Sequence, residues 1–251
     1  MQFPELVAHR GYAARYPENT LAALDAAMRA GALHVEIDVQ LSKDARPVLF
    51  HDRTLERMCG VPGSVADRTA AELAALSAGE AKQFGRRFED ERVASLAGFA
   101  ELLGRYPHVH AFVEVKRAAI ERFGHGKVID EVLPALDDVL PRVSVISFSL
   151  DFLSEMRRAH PTPIGVVFDR WSELDQPIVR ELAPEFVFCD LDGLPATGPL
   201  DAGDARVAIY EVADPQVALA LHARGAALVE SFEIGAMLAA FEAMRTRARV
   251  T

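Results

Sequence analysis

The chain has 251 residues, of which half are hydrophobic and a quarter are charged. This balance excludes intrinsic disorder and is typical of a globular chain with an extensive core. Its 37 acidic residues outnumber its 27 Lys and Arg residues, for a formal net charge of −10. Because there is no basic excess to neutralise phosphates, we expect no nucleic-acid partner. One or two local cations still suffice for a small phosphate-bearing ligand.

The two cysteines, Cys59 and Cys189, lie far apart in the sequence and show no CxxC spacing. They predict free thiols, which are typical of a reducing compartment, rather than a disulfide framework. The first residues, MQFPELVAHRG, contain neither a basic segment nor a long apolar one. No apolar run approaches the roughly 18 residues of a membrane-spanning helix. We therefore expect a cytoplasmic protein without stable membrane insertion.

Short apolar runs alternate with amphipathic stretches along the chain, as strands alternate with helices in α/β proteins. The predicted strands are 5–9, 33–40, 111–116, 143–148, 163–168, 185–190, 206–212 and 227–231. The predicted helices are 20–30, 95–104, 127–138, 150–159, 173–182, 215–224 and 233–246. This order predicts a single (β/α)8 TIM barrel domain over 1–251, the usual size being about 250 residues. The alternative, a doubly wound sheet, is disfavoured because no glycine-rich loop follows the first strand.

The segment PVLFHD at 47–52 follows the second predicted strand too closely for a crossover helix. It must therefore return antiparallel to that strand. A hairpin centred on Asp44 and Ala45 sets Asp38 opposite His51. A four-residue loop gives the same register.

The next stretch, residues 53–94, is rich in Ala, Glu and Arg and contains a GVPG turn. It predicts a small insertion, or cap, after the hairpin and within the barrel domain. The side chains of Phe84, Phe88, Phe99 and Leu103 lie in or near it. Packing of the cap onto the barrel is the favoured account of these residues, and an apolar groove for an acyl chain is the alternative.

Carboxylates cluster at predicted strand ends, where barrel enzymes carry their reactive groups. Alternation places Glu36 and Asp38 on one face of their strand, about 6.7 Å apart along the chain, with valine and isoleucine on the other face. Glu114 occupies the same kind of position on the next strand. Three such oxygen donors suit one hard divalent cation, Mg²⁺ or Ca²⁺. Internal ion pairs, for example of Glu114 with Arg10 or Lys116, are the alternative account.

Two histidines flank these carboxylates, His9 at the end of the first predicted strand and His51 at the end of the hairpin. Histidine exchanges protons near neutral pH without a special environment, so the pair suits a general base and a general acid. Purely structural roles are the alternative. A zinc site is disfavoured because the sequence has no HExxH motif and no Cys/His cluster.

An ordered series of short motifs runs through the first half of the chain. These are His9-Arg10-Gly11, Pro17-Glu18-Asn19-Thr20, Glu36-x-Asp38, His51-Asp52 and Glu114-x-Lys116. Their order and approximate spacing closely resemble the glycerophosphodiester phosphodiesterase family. The resemblance implies a (β/α)8 barrel with a small insertion after the second strand.

The resemblance also implies roles for individual residues. The implied catalytic histidines are His9 and His51, the implied ligands of one divalent cation are Glu36, Asp38 and Glu114, and the implied phosphate contacts are Arg10 and Lys116. The expected reaction is metal-dependent hydrolysis of a small glycerophosphodiester to glycerol 3-phosphate and an alcohol. We assign His9 as base and His51 as acid. Water and a hydroxyl of the substrate's own glycerol both stay open as the nucleophile.

The sequence departs from the family pattern on the alcohol side of the expected site. Tyr210 replaces a frequent Trp of the glycerol pocket, and Trp171 is a second candidate for its wall. Both are therefore candidate substrate-binding residues.

Two acidic residues, Glu211 and Glu230, also replace the usual residues near the ends of the last two strands. Ion pairs with Arg206 or Arg224 are the favoured account of both. If they instead face the expected metal site, they disfavour an anionic alcohol.

Two other functions compete with the expected one. A relative acting on lysophospholipids as a phospholipase D needs the acyl groove considered above. A non-catalytic barrel binding protein is disfavoured because both histidines and all three carboxylates are present.

Overall fold

Eight parallel strands form a closed barrel in the computed structural model, which describes residues 2–250, with side chains up to residue 248. The strands are β1 (Glu5–Ala8), β2 (His34–Leu41), β3 (Pro47–Leu49), β4 (His110–Val115), β5 (Val143–Ser147), β6 (Ile164–Phe168), β7 (Phe186–Asp190), β8 (Arg206–Tyr210) and β9 (Leu228–Ser231). Neighbours follow the order β1-β9-β8-β7-β6-β5-β4-β2, and pairing of β1 with β2 closes the ring. Strand β3 lies outside this ring, antiparallel to β2. The predicted TIM barrel is confirmed.

Helices surround the barrel. They are α1 (Leu21–Arg29), α2 (Glu56–Cys59), α3 (Ala70–Ala74), α4 (Ala81–Phe84), α5 (Leu96–Gly104), α6 (Arg117–Phe123), α7 (His125–Ala135), α8 (Leu150–Ala159), α9 (Pro177–Leu182), α10 (Pro215–Arg224) and α11 (Ile234–Val250). The sequence prediction missed α6. It also joined α9 to the preceding 3-10 turn, although Pro177 lacks the N–H that a continuous helix needs. Within residues 2–250, no helix combines the length and the apolarity needed to cross a bilayer.

Alternation along the strands sorts side chains between the two faces of the sheet. On β2, Val35, Ile37 and Val39 are fully buried among the outer helices. The lower part of the barrel interior is filled by a separate apolar cluster that includes Phe112 and Phe188. Apolar packing therefore closes the barrel below, and the polar interior residues lie toward its mouth, the end formed by the carboxyl ends of the strands.

The register of the β2–β3 hairpin differs by one residue from the prediction. Continuing the observed pairing sets Phe50, not His51, opposite Asp38, and the Phe50 amide donates to the Asp38 carbonyl at 2.9 Å. The reason is the loop, in which Ala45 adopts a left-handed φ of 58°. The hydroxyl of Ser42 accepts from the amide of Arg46, the residue before β3, at 2.9 Å and helps to close a three-residue loop. An odd loop length shifts the returning strand by one position.

The cap contains α2, α3 and α4 and has its own small apolar cluster, which includes Leu55, Met58 and Leu73 and joins Phe50 at the base of the hairpin. The alternative, an apolar groove, does not form at Phe99 and Leu103, because both are fully buried in the main core. The other two aromatic rings pack against each other on the cap. The interpretation of residues 53–94 as a cap within one domain stays a prediction.

Candidate active site

The predicted carboxylates meet inside the barrel mouth. Glu36, Asp38 and Glu114 are all buried, and strand pairing sets Asp38 beside Glu114. One oxygen from each of the three lies within 4.8 Å of the others. We call these three residues the carboxylate cluster.

Two cationic side chains, those of Arg10 and Lys116, contact this cluster. The Nε of Arg10 lies 3.0 Å from Oδ2 of Asp38, and the Nζ of Lys116 lies 3.0 Å from Oδ1. Burial opposes ionisation of Asp38, but Lys116 and Arg10 outweigh it and hold the pKa of that carboxyl well below its usual range. Lys116 also contacts Glu114 at 2.6 Å, so the ion pair weighed from the sequence forms within the cluster.

Glu36 is the least satisfied member of the cluster. Its Oε2 accepts from the Arg10 amide at 3.1 Å, whereas its Oε1 is buried without a hydrogen-bond partner among the described residues. Burial, followed by repulsion from Asp38 and the neighbouring carboxylates, raises the pKa of Glu36 well above its ordinary value. A buried carboxylate oxygen without a partner is costly unless a proton or a cation reaches it. The donor set therefore fits a hard divalent cation.

His9 lies between this cluster and the protein surface. Its ring is 5% exposed and stacks on Phe232 with centroids 4.7 Å apart. Its Nε2 is 3.7 Å from Glu36, and its Nδ1 is 3.3 Å from Glu211. Burial lowers the pKa of His9, and this outweighs the opposing contact with Glu211. Both ring nitrogens therefore face carboxylates in a nearly dry setting.

The arginine pairs expected for Glu211 and Glu230 do not form. Arg206 instead contacts Glu5 at 2.9 Å, and Arg224 donates to two backbone carbonyls. Glu230 faces inward from β9 and is 2% exposed, with burial raising its pKa well above the ordinary value. The expectation was wrong because pairing partners across a barrel depend on how the strands close, which neighbouring sequence does not reveal.

His51 occupies the other side of the mouth and is half-buried. Its Nδ1 lies 2.8 Å from Oδ1 of Asp52, and that carboxylate accepts two hydrogen bonds from Arg57 on α2, at 2.7 and 2.9 Å. Arg57 also donates to Glu18, at 2.5 Å, and to Glu80. Sequence reasoning missed Arg57, whose only signal was its place in the predicted cap. It joins the cap, the His51 turn and the Glu18 turn in one ionic network.

The turns that contain Arg10-Gly11 and Asn19 have local physical reasons. Asn19 holds Asp38 at two points, donating from Nδ2 to Oδ2 at 2.8 Å and accepting the Asp38 amide at 3.0 Å. Arg10 and Gly11 both have positive φ, and a Cβ on Gly11 would lie 2.7 Å from the carbonyl carbon of Ala23. Only glycine tolerates that close approach.

The two candidate aromatic residues lie in different places. The ring of Tyr210 is 6.3 Å from that of His9, and its hydroxyl donates to the Phe168 carbonyl at 2.8 Å. Trp171 begins a 3-10 turn after β6 and lines a neighbouring cavity together with Asp190. That cavity has neither His9 nor His51 in its lining.

Two cavities open near the candidate site. The first, of about 530 Å³, is lined by Glu18, Glu211 and Phe232. The second, of about 490 Å³, is lined by His51 and Lys116 among others. The first cavity thus lies beside residues that contact His9, and the second reaches the carboxylate cluster at Glu114.

The model of the Glycerophosphoryl diester phosphodiesterase family matches residues 9–228. A glycerophosphodiester phosphodiesterase of Caldanaerobacter subterraneus is 43% identical over 166 residues, covering 65% of this chain and 66% of that protein. Glycerophosphodiester phosphodiesterase 1 of Mus musculus is 31% identical over 171 residues, covering 66% and 49%. The matched region thus spans less than two thirds of these curated relatives.

Among solved structures, an Oleispira antarctica phosphodiesterase in complex with the product sn-glycerol-3-phosphate superposes with a TM-score of 0.85 and 25% identity, covering 96% of this chain and 97% of that one. A putative glycerophosphoryl diester phosphodiesterase of Silicibacter pomeroyi gives a TM-score of 0.78 at 22% identity, covering 93% and 91%. The second likeness concerns the fold alone.

Proposed function

This chain belongs to the glycerophosphoryl diester phosphodiesterase family, and from that premise we propose that it hydrolyses glycerophosphodiesters to glycerol 3-phosphate and an alcohol. The observation that carries the proposal is the buried carboxylate cluster, contacted by two cations and flanked by His9 and His51. The Oleispira antarctica neighbour binds sn-glycerol-3-phosphate, which supports the same product here. The proposed partner is this small-molecule substrate, without nucleic acid.

In the proposed enzyme the carboxylate cluster holds one divalent cation, Mg²⁺ or Ca²⁺. The unpartnered Oε1 of Glu36 supports this assignment. When bound, the cation would act as a Lewis acid and neutralise negative charge on the phosphoryl oxygens.

Arg10 and Lys116 are the proposed phosphate contacts. Both are largely buried and both contact Asp38, while Arg10 also contacts Glu18 and Lys116 also contacts Glu114. A guanidinium has five N–H donors and an ammonium has three, so each retains donors for phosphate oxygens. These donors stabilise the negative charge that grows on the equatorial oxygens during displacement at phosphorus.

The two histidines transfer the protons. We assign His9 as the base that deprotonates the nucleophile and His51 as the acid that protonates the departing alcohol. The contact of His51 Nδ1 with Asp52 supports this role, because it orients the ring and leaves Nε2 to exchange a proton. The cytoplasmic location expected from the two free cysteines stays a prediction.

The first experiment measures release of glycerol 3-phosphate from glycerophosphocholine and glycerophosphoethanolamine. The protein is assayed with EDTA, then with Mg²⁺ or Ca²⁺ restored, beside His9→Ala, His51→Ala and the exposed control His108→Ala. We expect EDTA to remove the activity and one of the two cations to restore it. We expect His9→Ala and His51→Ala to abolish the activity and His108→Ala to retain it. Metal-loaded, folded protein that releases nothing refutes the proposal, and turnover of lysophospholipids alone favours the phospholipase D alternative.

A second substrate distinguishes the two histidines. With p-nitrophenol as the alcohol of the glycerophosphodiester, the leaving group needs little protonation. We therefore expect His51→Ala to lose much less activity on this substrate than on glycerophosphocholine, whereas His9→Ala loses activity on both equally. The reverse pattern exchanges the two assignments.

A further inference from the structure

Glu230 is a buried acidic side chain to which the proposed mechanism assigns no role. It lies on β9 with its backbone opposite Val7 of β1, and Val7 belongs to the apolar cluster of the barrel interior. Leu228, two residues earlier on the same strand, belongs to that cluster too. Alternation along β9 therefore points Glu230 into the barrel, above the apolar layer and toward the carboxylate cluster.

The side chain of Glu230 has no partner that explains its burial. It is 2% exposed, and its Oε1 has no hydrogen-bond partner among residues 2–248. Repulsion acts between Glu230 and Glu36, and also between Glu230 and Glu114. An isolated carboxylate in such a place is costly unless positive charge arrives from outside the chain.

The charges of the buried centre show how much positive charge is missing. The centre contains four buried carboxylates, those of Glu36, Asp38, Glu114 and Glu230. Its cationic side chains are those of Arg10 and Lys116. Both cations contact Asp38, Lys116 also contacts Glu114, and Arg10 also contacts Glu18, which pairs with Arg57 as well. Among the described residues, Glu36 and Glu230 are thus the two carboxylates of this set without an ion pair to Arg or Lys, which matches the charge of one divalent cation.

Coordination preferences leave room for a further carboxylate. Ca²⁺ takes about six to eight oxygen atoms, and Mg²⁺ needs about six. The three residues of the carboxylate cluster leave several of those positions to other oxygens. Glu230 faces the cluster from β9, whereas the cluster itself lies on β2 and β4.

We propose that Glu230 is a fourth carboxylate of the divalent-cation centre. This inference rests on the metal dependence in the proposed function and extends it to a residue outside the motifs that indicated the family. Glu230 lies outside the three carboxylates whose oxygens lie within 4.8 Å of one another, so it would add negative charge beside the cation that those three would hold. It acts on affinity for the cation, independently of any substrate.

The test is isothermal titration calorimetry of the metal-free protein with Mg²⁺ and with Ca²⁺, without substrate. The variants are Glu230→Gln, which removes the charge and keeps the shape, and Glu230→Asp, which keeps the charge. Glu242→Gln removes a charge from the exposed face of α11 and is the matched control. We expect Glu230→Gln to weaken binding by about tenfold or more, since outer metal partners are worth about 10- to 100-fold in affinity. Glu230→Asp retains more affinity for the cation than Glu230→Gln does. The control Glu242→Gln keeps the affinity of wild type, because Glu242 is exposed on α11.

Different failures have different meanings. Wild type that binds the ion, with Glu230→Gln folded and equally tight, overturns this inference and leaves the proposed function intact. If Glu230→Gln binds the ion as tightly as wild type but has a higher KM for glycerophosphocholine, Glu230 contacts a substrate hydroxyl. That result also overturns the inference. Wild type that binds neither ion removes the metal centre itself, and with it both this inference and the metal dependence. If Glu230→Gln does not fold, weakened binding by Glu230→Asp supports the proposal, and unchanged binding by that variant refutes it.

Discussion

Replacing Arg57 by methionine tests whether the cap positions His51. Arg57 makes hydrogen bonds to three carboxylates, those of Asp52, Glu18 and Glu80. Methionine keeps much of the apolar side chain and removes every one of these donors, so three acidic groups lose their shared counter-charge.

The size of the effect follows from burial. Hydrogen bonds to charged groups contribute about 1.5–3 kcal/mol each when buried, and breaking a fully buried ion pair costs about 3–5 kcal/mol. The Arg57 side chain is 37% exposed, whereas that of Glu18 is 10% exposed. Water therefore screens part of the interaction, and we expect Arg57→Met to lower the free energy of unfolding by about 2–3 kcal/mol.

Activity is expected to fall as well. Asp52 loses the guanidinium that holds it, so the His51 ring is no longer fixed relative to the substrate, and misplacement by about 1 Å costs up to about 100-fold in rate. Urea unfolding gives the stability change, and kcat/KM for glycerophosphocholine gives the catalytic change. Arg86→Met is the control, because Arg86 pairs with Glu89 on the cap surface and is 89% exposed. A stability loss below about 1 kcal/mol with unchanged kcat/KM refutes the reasoning, since that is the range of a surface ion pair. If Arg57→Met lowers the free energy of unfolding but leaves kcat/KM unchanged, Arg57 stabilises the fold without positioning His51.

Three further predictions follow from the same contacts. Gly11→Ala forces a Cβ against backbone at a φ of +84°, whereas Gly31→Ala at +101° meets nothing within 4 Å. We expect thermal unfolding to show a loss of about 3 kcal/mol for the first and about 1 kcal/mol for the second, and equal losses contradict the steric argument. Burial lowers the pKa of His110 to about 4, so its neutral form is favoured in the folded state. The unfolded chain has a histidine pKa of about 6.5, so protonation favours unfolding below that pH. The free energy of unfolding therefore falls by up to about 3 kcal/mol as the pH drops from about 6.5 toward 4. His110→Gln flattens the fall in unfolding free energy between pH 7 and pH 4.5, and an unchanged slope refutes this assignment. Tyr210→Ala raises KM for glycerophosphocholine more than Trp171→Ala does, because only Tyr210 lies beside His9. Equal effects would bring Trp171 into the substrate site.

Much of the site was predictable because alternation in a strand is a local property. The order of apolar and acidic residues in β2 was enough to place Glu36 and Asp38 inside the barrel and Ile37 outside it. The same rule placed Glu114 on β4. The hairpin prediction, in contrast, missed by one residue because both loops considered had an even number of residues, whereas the observed loop has three, with Ala45 in the left-handed region.

Contacts between distant segments were less accessible. Arg57 carried no motif that distinguished it from the other arginines of the cap, and Glu230 was expected to pair with an arginine. Both lie where they do because the cap folds over the mouth and because β9 closes the ring between β8 and β1.

The sequence by itself determined the repeating strand and helix order, the inward face of each strand and the identity of the groups at the strand ends. These follow from the two-residue period of a strand and from the motifs, which need only neighbouring residues. The tertiary structure alone decided which charges meet across the barrel, which carboxylate oxygens stay without a partner and which aromatic ring lies beside His9. Those outcomes depend on ring closure and cap docking, which bring together residues far apart in the chain, and no local pattern encodes their distances.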